Sequence, residues 1–206
     1  MSWLLKQLNP KNWFRRSSEE ALAPQSGAKL FFIELIKLAL FAVVTIFLVR
    51  YFLFKPFYVK GASMEPNFFD REYLIIDEVS YRLTEPRRGD VVVFRYPVNR
   101  KEYFLKRVIG LPGERVKIKD GQIIIYNQEN PEGMVLGESY LPTNLQIRPD
   151  MNVNLKSDEF FVMGDNRNSC FDSRFFGPVK ESDLVGRVWL RGWPFNRAKV
   201  FSEITY

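Results

Sequence analysis

The chain has 206 residues, a formal net charge of +6 and 46% hydrophobic residues, a length that suits one ordinary domain with an appendage or two small domains. It contains no histidine, which excludes Ser-His-Asp triads, Cys-His dyads and histidine-ligated metal sites, and its single cysteine, Cys170, excludes an internal disulfide and a cysteine zinc cluster. Acid–base chemistry near neutral pH must therefore use Lys, Asp, Glu, Tyr or Cys side chains with shifted pKa values.

The positive charge is confined to the first part of the chain. Residues 1–60 hold nine Lys or Arg against three Glu, whereas residues 61–206 hold 21 basic and 21 acidic residues and are neutral. A nucleic-acid-binding protein usually carries its basic patch on the folded domain, so no nucleic-acid partner is expected. Basic residues before an apolar segment instead favour a membrane-anchored protein.

An apolar segment follows the basic tail and is long enough to cross a lipid bilayer. Residues 30–54 are mostly apolar, and no polar face of helical period interrupts residues 38–49; about 20 apolar residues span the hydrocarbon core. A transmembrane helix is therefore favoured over a buried helix of a soluble domain. Residues 59–62 form a poor small-residue cleavage site, so a retained signal anchor is favoured over a cleaved secretory signal.

These observations predict three regions in chain order. Six Lys or Arg residues lie at or before Lys37, and positive residues that flank a span stay on the cytoplasmic side. We expect a cytoplasmic basic tail over residues 1–29, a transmembrane signal anchor over 30–56 and an extracytoplasmic β-rich domain over 57–206. The predicted location is the plasma (inner) membrane, crossed once, with the N-terminus in the cytoplasm.

The extracytoplasmic region is predicted to be mainly β. Short segments rich in β-branched and aromatic residues are punctuated by Gly, Pro, Asn and Asp; they cover residues 73–77, 90–95, 102–109, 115–119, 122–126, 159–163 and 184–190. The Lys-Asp-Gly-Gln sequence at 119–122 predicts a tight hairpin turn. A polar, turn-rich stretch near residues 120–157, weakly patterned from 127 onward, is expected to be a less regular insertion that caps the β domain.

A candidate nucleophile, Ser63, follows the predicted anchor. The small residues at 61 and 62 allow the backbone to approach a ligand closely, and Pro66 stiffens the chain that follows. Taken alone, this fragment is more typical of ordinary turn chemistry.

A candidate general base, Lys106, lies on a predicted strand. There it shares a face with Phe104 and Val108, and an amine that faces an apolar layer loses hydration, which lowers its pKa. A neutral amine can accept a proton from a serine hydroxyl. The alternative is a surface lysine paired with a carboxylate.

A third fragment, residues 164–174, is dense in polar groups directly after an apolar strand. Such a loop can form a hydrogen-bonded network beneath a site. An Asx-rich turn would have the same composition.

In this order behind one anchor, the fragments resemble motifs of the type I signal peptidases (leader peptidases), which are Ser-Lys serine proteases. The similar stretches are residues 63–66 (SMEP), 88–94 (RGDVVVF), 106–114 (KRVIGLPGE) and 164–174 (GDNRNSCFDSR). The resemblance covers most of residues 30–195. It implies a signal-peptidase-like β domain with an inserted cap region, preceded by a single N-terminal transmembrane helix.

The resemblance also implies roles for individual residues. Ser63 would be the nucleophile, with its backbone N–H in the oxyanion hole, and Lys106 the general base. The supporting residues would be Met64, which shapes the site, Asp172 and Arg174, which form an ion pair, and Asp165 and Arg167, which brace the loop.

Two positions depart from the commonest family pattern. Some members carry a serine hydroxyl two residues before the nucleophile, where this chain has Gly61, so only backbone oxyanion donors are expected. Cys170 stands where the family usually has a serine that orients the lysine amine, and a thiol is a weaker hydrogen-bond partner.

The function implied is the removal of N-terminal signal peptides from secreted preproteins by cleavage after small residues, at A-x-A type sites. The implied partners are signal-peptide-bearing preproteins and the lipid bilayer, with the secretion translocon as a further candidate, and no metal or organic cofactor is implied. One alternative is a catalytically weakened, membrane-anchored peptide-binding homologue. The self-cleaving repressors share a Ser-Lys β core, but no DNA-binding domain fits into residues 1–29.

Overall fold

The computed structural model describes residues 27–52, 54–82, 84–142, 145, 147–168 and 170–201. Residues 1–26 of the predicted basic tail therefore lie outside the described residues. The chain divides at residue 48 into two compact units, an N-terminal helical unit and a β-rich unit.

Most of the helix α1, Gly27–Phe52, belongs to the N-terminal unit. Up to residue 47 its side chains are exposed, and the stretch Gly27–Phe47 is long and apolar enough to cross a membrane by length and composition. The expected apolar helix is thus confirmed. The helix itself ends at residue 52, and residues 54–56 already belong to a strand. Pro56 disfavours a longer helix, since proline lacks an N–H and disfavours helical backbone in the residue before it.

The β-rich unit is built on a large antiparallel sheet in the order β1-β2-β11-β3-β4-β9-β10, with β12 beside β11. Its strands are β1 (Phe54–Tyr58), β2 (Tyr73–Asp77), β3 (Val91–Arg95), β4 (Tyr103–Gly110), β9 (Glu159–Met163), β10 (Val179–Lys180), β11 (Leu184–Trp193) and β12 (Lys199–Val200). The predicted strands of this sheet are confirmed within a few residues at their ends.

A second antiparallel sheet in the order β7-β6-β5-β8 is inserted between β4 and β9. It consists of β5 (Arg115–Lys119), β6 (Gln122–Tyr126), β7 (Met134–Val135) and β8 (Met151–Asn154). The predicted β5–β6 turn is confirmed: Asp120 and Gly121 have φ values of 51° and 78°, as a two-residue hairpin of the primed type requires.

The insertion is more regular than the sequence indicated. Part of it, expected to be weakly structured, supplies β7 and β8 to the second sheet. In β8 the half-buried Met151 and Val153 alternate with exposed asparagines. Two apolar positions are too few to distinguish a one-faced edge strand from a loop by periodicity.

Buried side chains lie on both faces of the large sheet. One cluster contains Met64, Phe68, Leu74 and Ile76, and another contains Val92, Phe94, Val108, Phe160 and Val162. The second sheet packs its own aliphatic cluster against the end of the large sheet, with Val116, Ile118, Ile123, Ile125, Phe161 and Met163 among its members. In β4, Lys106 lies opposite Val92 and Arg107 opposite Val91, so these neighbours face opposite sides of the strand.

Candidate active site

Ser63 and Lys106 are brought together although 43 residues separate them in the chain. Lys106 lies in the middle of β4, and its Nζ is 2.9 Å from Ser63 Oγ and donates a second hydrogen bond to Leu105 O at 3.0 Å. A separation of 2.9 Å also allows the hydroxyl to donate to a neutral amine. The pair therefore has the heavy-atom geometry that proton transfer requires.

The Lys106 amine is largely removed from water. The residue is 4% exposed, and burial lowers the pKa of the amine below its ordinary value of 10.5, against the opposing influence of Cys170 and Asp172. Burial penalises the charged ammonium because the surrounding protein replaces its hydration poorly. A lysine in this environment is easier to deprotonate than one on the surface.

Ser63 lies in a compact turn between β1 and β2. Glu65 N donates to Ala62 O at 3.2 Å and Phe68 N to Met64 O at 2.8 Å, while Gly61 N donates to the Asp70 carboxylate at 2.7 Å. Met64 and Phe68 are almost completely buried and attach the turn to the core. Gly61 has φ of 84°, a left-handed conformation that favours glycine.

The loop after β9, residues 164–167, holds the peptide groups on either side of the nucleophile. Asn166 donates from its backbone N to Ser63 O and from its Nδ2 to Ala62 O, both at 3.1 Å. At Gly164 a β-carbon would lie 2.4 Å from Ser63 O and 2.0 Å from Cys170 Sγ. The absence of a side chain at this position lets the loop approach Ser63 this closely.

Two buried ion pairs support this loop. Arg107 donates from Nε and Nη2 to the two Asp165 oxygens at 2.8 and 2.6 Å. Arg174 likewise donates to both oxygens of Asp172 at 2.8 Å. Asp172 also caps the short helix α2, Ser173–Phe176, by accepting from Arg174 N, and it accepts from Gly164 N at 3.1 Å. Bidentate pairs of this kind set the orientation of both partners.

Cys170 is buried close to Gly164. Its thiol interacts electrostatically with Lys106 and with Asp172. Burial raises the pKa of the thiol, with Lys106 opposing the shift. The thiol therefore stays protonated at neutral pH and contacts the amine as a neutral group.

A cleft of about 310 Å³ opens beside the two residues. Ser63 and Lys106 both line it, together with mostly apolar side chains that include Met64, Leu74, Val93 and Leu105. Such a lining accepts an apolar side chain of a bound peptide and excludes water from the amine.

The structure brings all the predicted site residues into one region, but two of their partners were not anticipated. Asp165 pairs with Arg107, which the sequence offered only as part of a motif, and Arg167 pairs with Glu138 of the insertion. Asn67 and Asn166 were also missed as polar anchors of the loop. No feature of the sequence indicates which arginine will pair with the Glu138 carboxylate of the polar insertion.

The chain is similar in sequence to a known class of enzyme. Residues 32–193 match the family model described as signal peptidase, peptidase S26. The chain therefore belongs to the type I signal peptidases, which are serine proteases of the hydrolase class that remove signal peptides.

Individual relatives support the same family. The chain is 33% identical over 200 residues to a probable signal peptidase I-2 of Synechocystis, covering 94% of this chain and 86% of the relative. It is 37% identical over 158 residues to signal peptidase I of Leptolyngbya laminosa, covering 72% and 73%. It is 34% identical over 177 residues to signal peptidase I P of Bacillus subtilis subsp. natto, covering 81% and 92%.

Proposed function

We propose that this chain is a membrane-anchored signal peptidase I in which Ser63 is the nucleophile and Lys106 the general base. The observation that carries the proposal is the 2.9 Å contact between Ser63 Oγ and the Lys106 amine, combined with the burial that lowers the pKa of that amine.

The reaction begins with attack of Ser63 Oγ on the scissile carbonyl carbon while neutral Lys106 takes the hydroxyl proton. The negative charge moves to the carbonyl oxygen, where the backbone N–H of Ser63 stabilises it. The C–N bond then breaks, and the Lys106 ammonium returns the proton to the leaving amine. A water molecule, deprotonated by the same lysine, then attacks the carbonyl carbon of the acyl ester. The bond from that carbon to Ser63 Oγ breaks, the Lys106 ammonium returns the proton to Oγ, and the signal peptide leaves as a carboxylic acid.

The supporting residues keep this pair in place. Met64 forms part of the apolar cleft wall, Cys170 contacts the amine, and the Asp172–Arg174 pair holds Gly164 from beneath. Asp165 and Arg167 brace the loop that holds Ser63 O. The apolar cleft supports a preference for small apolar side chains next to the cleaved bond, as A-x-A type sites provide.

The membrane arrangement is part of the proposal. The apolar helix α1 supports a single anchor within residues 30–56, and the basic residues before it support a cytoplasmic tail over residues 1–29. The peptidase domain, residues 57–206, then lies outside the cytoplasm, on the outer side of the plasma (inner) membrane. Anchoring confines enzyme and preprotein to the same surface and raises their effective concentration, and it places the translocon within reach as a partner.

The test is cleavage of a signal-bearing precursor by the full chain in detergent. Ser63→Ala should reduce cleavage to background, and Lys106→Ala should lower it by about 10²–10⁴-fold, the contribution of a general base. The exposed Lys119 of β5 provides a matched control, and Lys119→Ala should retain full activity.

Two outcomes would contradict the proposal. Near-normal turnover by the Lys106→Ala protein would refute the assignment of the base. A wild-type protein that binds the precursor but leaves it intact would favour the peptide-binding homologue instead.

A further inference from the structure

The insertion reaches the catalytic loop through two residues between β7 and β8, Glu138 and Tyr140, here called the clip. Arg167 is completely buried, and its Nη1 and Nη2 each donate to a different Glu138 oxygen at 2.5 Å. The Glu138 side chain is itself only 11% exposed. A bidentate pair of this kind fixes the plane of the guanidinium as well as its position.

Arg167 passes this constraint to the backbone of the loop. Its Nε donates to Gly164 O at 2.9 Å. The loop's Asn166 N, in turn, donates to Ser63 O at 3.1 Å. A contiguous path of hydrogen bonds and backbone thus runs from the Glu138 carboxylate to the peptide of the nucleophile.

The second clip residue contacts the other arginine that holds the loop. The guanidinium of Arg107 lies 4.0 Å from the centre of the Tyr140 ring, and the Tyr140 hydroxyl donates to Glu138 at 2.6 Å. Asn67 Nδ2 donates both to Tyr140 O at 3.0 Å and to Asp165 at 2.9 Å. The clip therefore touches both guanidinium groups, Arg107 and Arg167, that orient residues 164–167.

We infer that Glu138 is a positioning residue for catalysis: through Arg167 it holds the 164–167 loop, and with it the Ser63 peptide, in the geometry for attack. This inference rests on the proposed function. Among the described residues that line the cleft, neither clip residue appears. Loss of the clip should therefore slow the chemical step without weakening peptide binding.

The test separates kcat from KM for a peptide that spans a signal-cleavage site, with the full chain in detergent. Glu138→Gln keeps the shape of the side chain but removes the charge that pairs with Arg167. We expect kcat to fall by about 10- to 100-fold, as small misplacements at a reacting centre do, with KM within about twofold of wild type. Glu138→Asp, which retains the charge, should recover part of kcat.

The matched control is Asp183→Asn. Asp183 is as shielded as Glu138, at 9% exposure, and pairs with Arg100 instead of a residue of the catalytic loop. Both variants should lose thermal stability, but only Glu138→Gln should lose kcat. Equal kcat values in the two variants, or a rise in KM at unchanged kcat in Glu138→Gln, would overturn the inference.

A milder variant covers the case in which Glu138→Gln does not fold. Tyr140→Phe removes only the hydroxyl that bonds to Glu138, and a fall in kcat at constant KM supports the clip, whereas wild-type kinetics refutes it. Failure of the proposed function is distinguishable from failure of this inference. In that case the wild type would leave the peptide intact, or Ser63→Ala would cleave it as the wild type does, whichever residue stands at position 138.

Discussion

The region around Ser63 and the core of the second sheet differ in the kind of side chain that they bury. Around Ser63 the buried side chains include many charged ones: Lys106, Arg107, Asp165, Arg167, Asp172 and Arg174. The second sheet encloses aliphatic residues such as Val116, Ile118, Ile123 and Ile125. Aliphatic burial stabilises the fold directly, whereas buried charge is tolerated only with well-placed partners. The proposed site thus lies where buried charges need well-placed partners, whereas the second sheet is held together by apolar burial.

Replacing Lys106 should have the largest effect and should change activity and stability in opposite directions. Lys106→Met should lower cleavage by about 10²–10⁴-fold and raise the free energy of unfolding at neutral pH, because a buried amine is replaced by an apolar side chain of similar length. Denaturant unfolding of the wild type and the variant measures the change.

Lys106→Met should also change how the free energy of unfolding depends on pH. Because the pKa of Lys106 is lowered in the folded protein, the unfolded chain binds more protons between that lowered pKa and the ordinary value of 10.5. Wild-type stability therefore contains a contribution that rises with pH across this window, and Lys106→Met should lack it. A Lys106→Met protein that is less stable than the wild type, and whose stability depends on pH as the wild type's does, would contradict the contrast between a charged site and an apolar core.

The aliphatic core of the second sheet should affect stability more than cleavage. Ile125 of β6 is fully buried, so Ile125→Ala should reduce the free energy of unfolding by about 2–5 kcal/mol through lost burial and the cavity it leaves. Precursor cleavage should be close to normal at temperatures where the variant remains folded. Chemical denaturation and a cleavage assay on the same preparation test both statements.

The neighbouring Ile124 is a matched control for Ile125. It lies on the same strand but is only partly buried, so Ile124→Ala should be less destabilising. A folded Ile125→Ala protein with severely reduced kcat would show that the second sheet's core contributes to catalysis directly.

The smallest expected effect is at Cys170. Because a hydroxyl is a better hydrogen-bond partner for the Lys106 amine than a thiol, Cys170→Ser should leave cleavage equal or modestly higher. Steady-state kinetics gives the answer. A large loss would show that the thiol supports the amine in a way that a hydroxyl cannot, and the site would then depend on packing as well as on charge.

Much of the fold was predictable from local pattern. Seven of the strands have enough alternating or continuous apolar residues to be read from the sequence, and the turn at Asp120 and Gly121 follows from its residue types. The strand β1 was missed because it follows the apolar helix directly. The strands β7, β10 and β12 have only two residues each, too few for a periodic signal.

The candidate site divides in the same way. Ser63, Lys106 and residues 164–174 stand in motifs whose order resembles that of a known family, although each motif alone leaves an ordinary structural alternative. The partners of the arginines do not: 58 residues separate Arg107 from Asp165, and 29 separate Glu138 from Arg167. No local pattern predicts which carboxylate meets which guanidinium across such distances.

The order of residue types along the chain is enough to predict the apolar helix, most of the strands, and a serine and a lysine able to react without histidine. Folding is needed to bring the dehydrated amine within reach of the hydroxyl and to pair the insertion with the loop beside it. The physical reason is that residue type and spacing encode local backbone preference, whereas burial and ion pairing depend on chain segments that become neighbours only after folding.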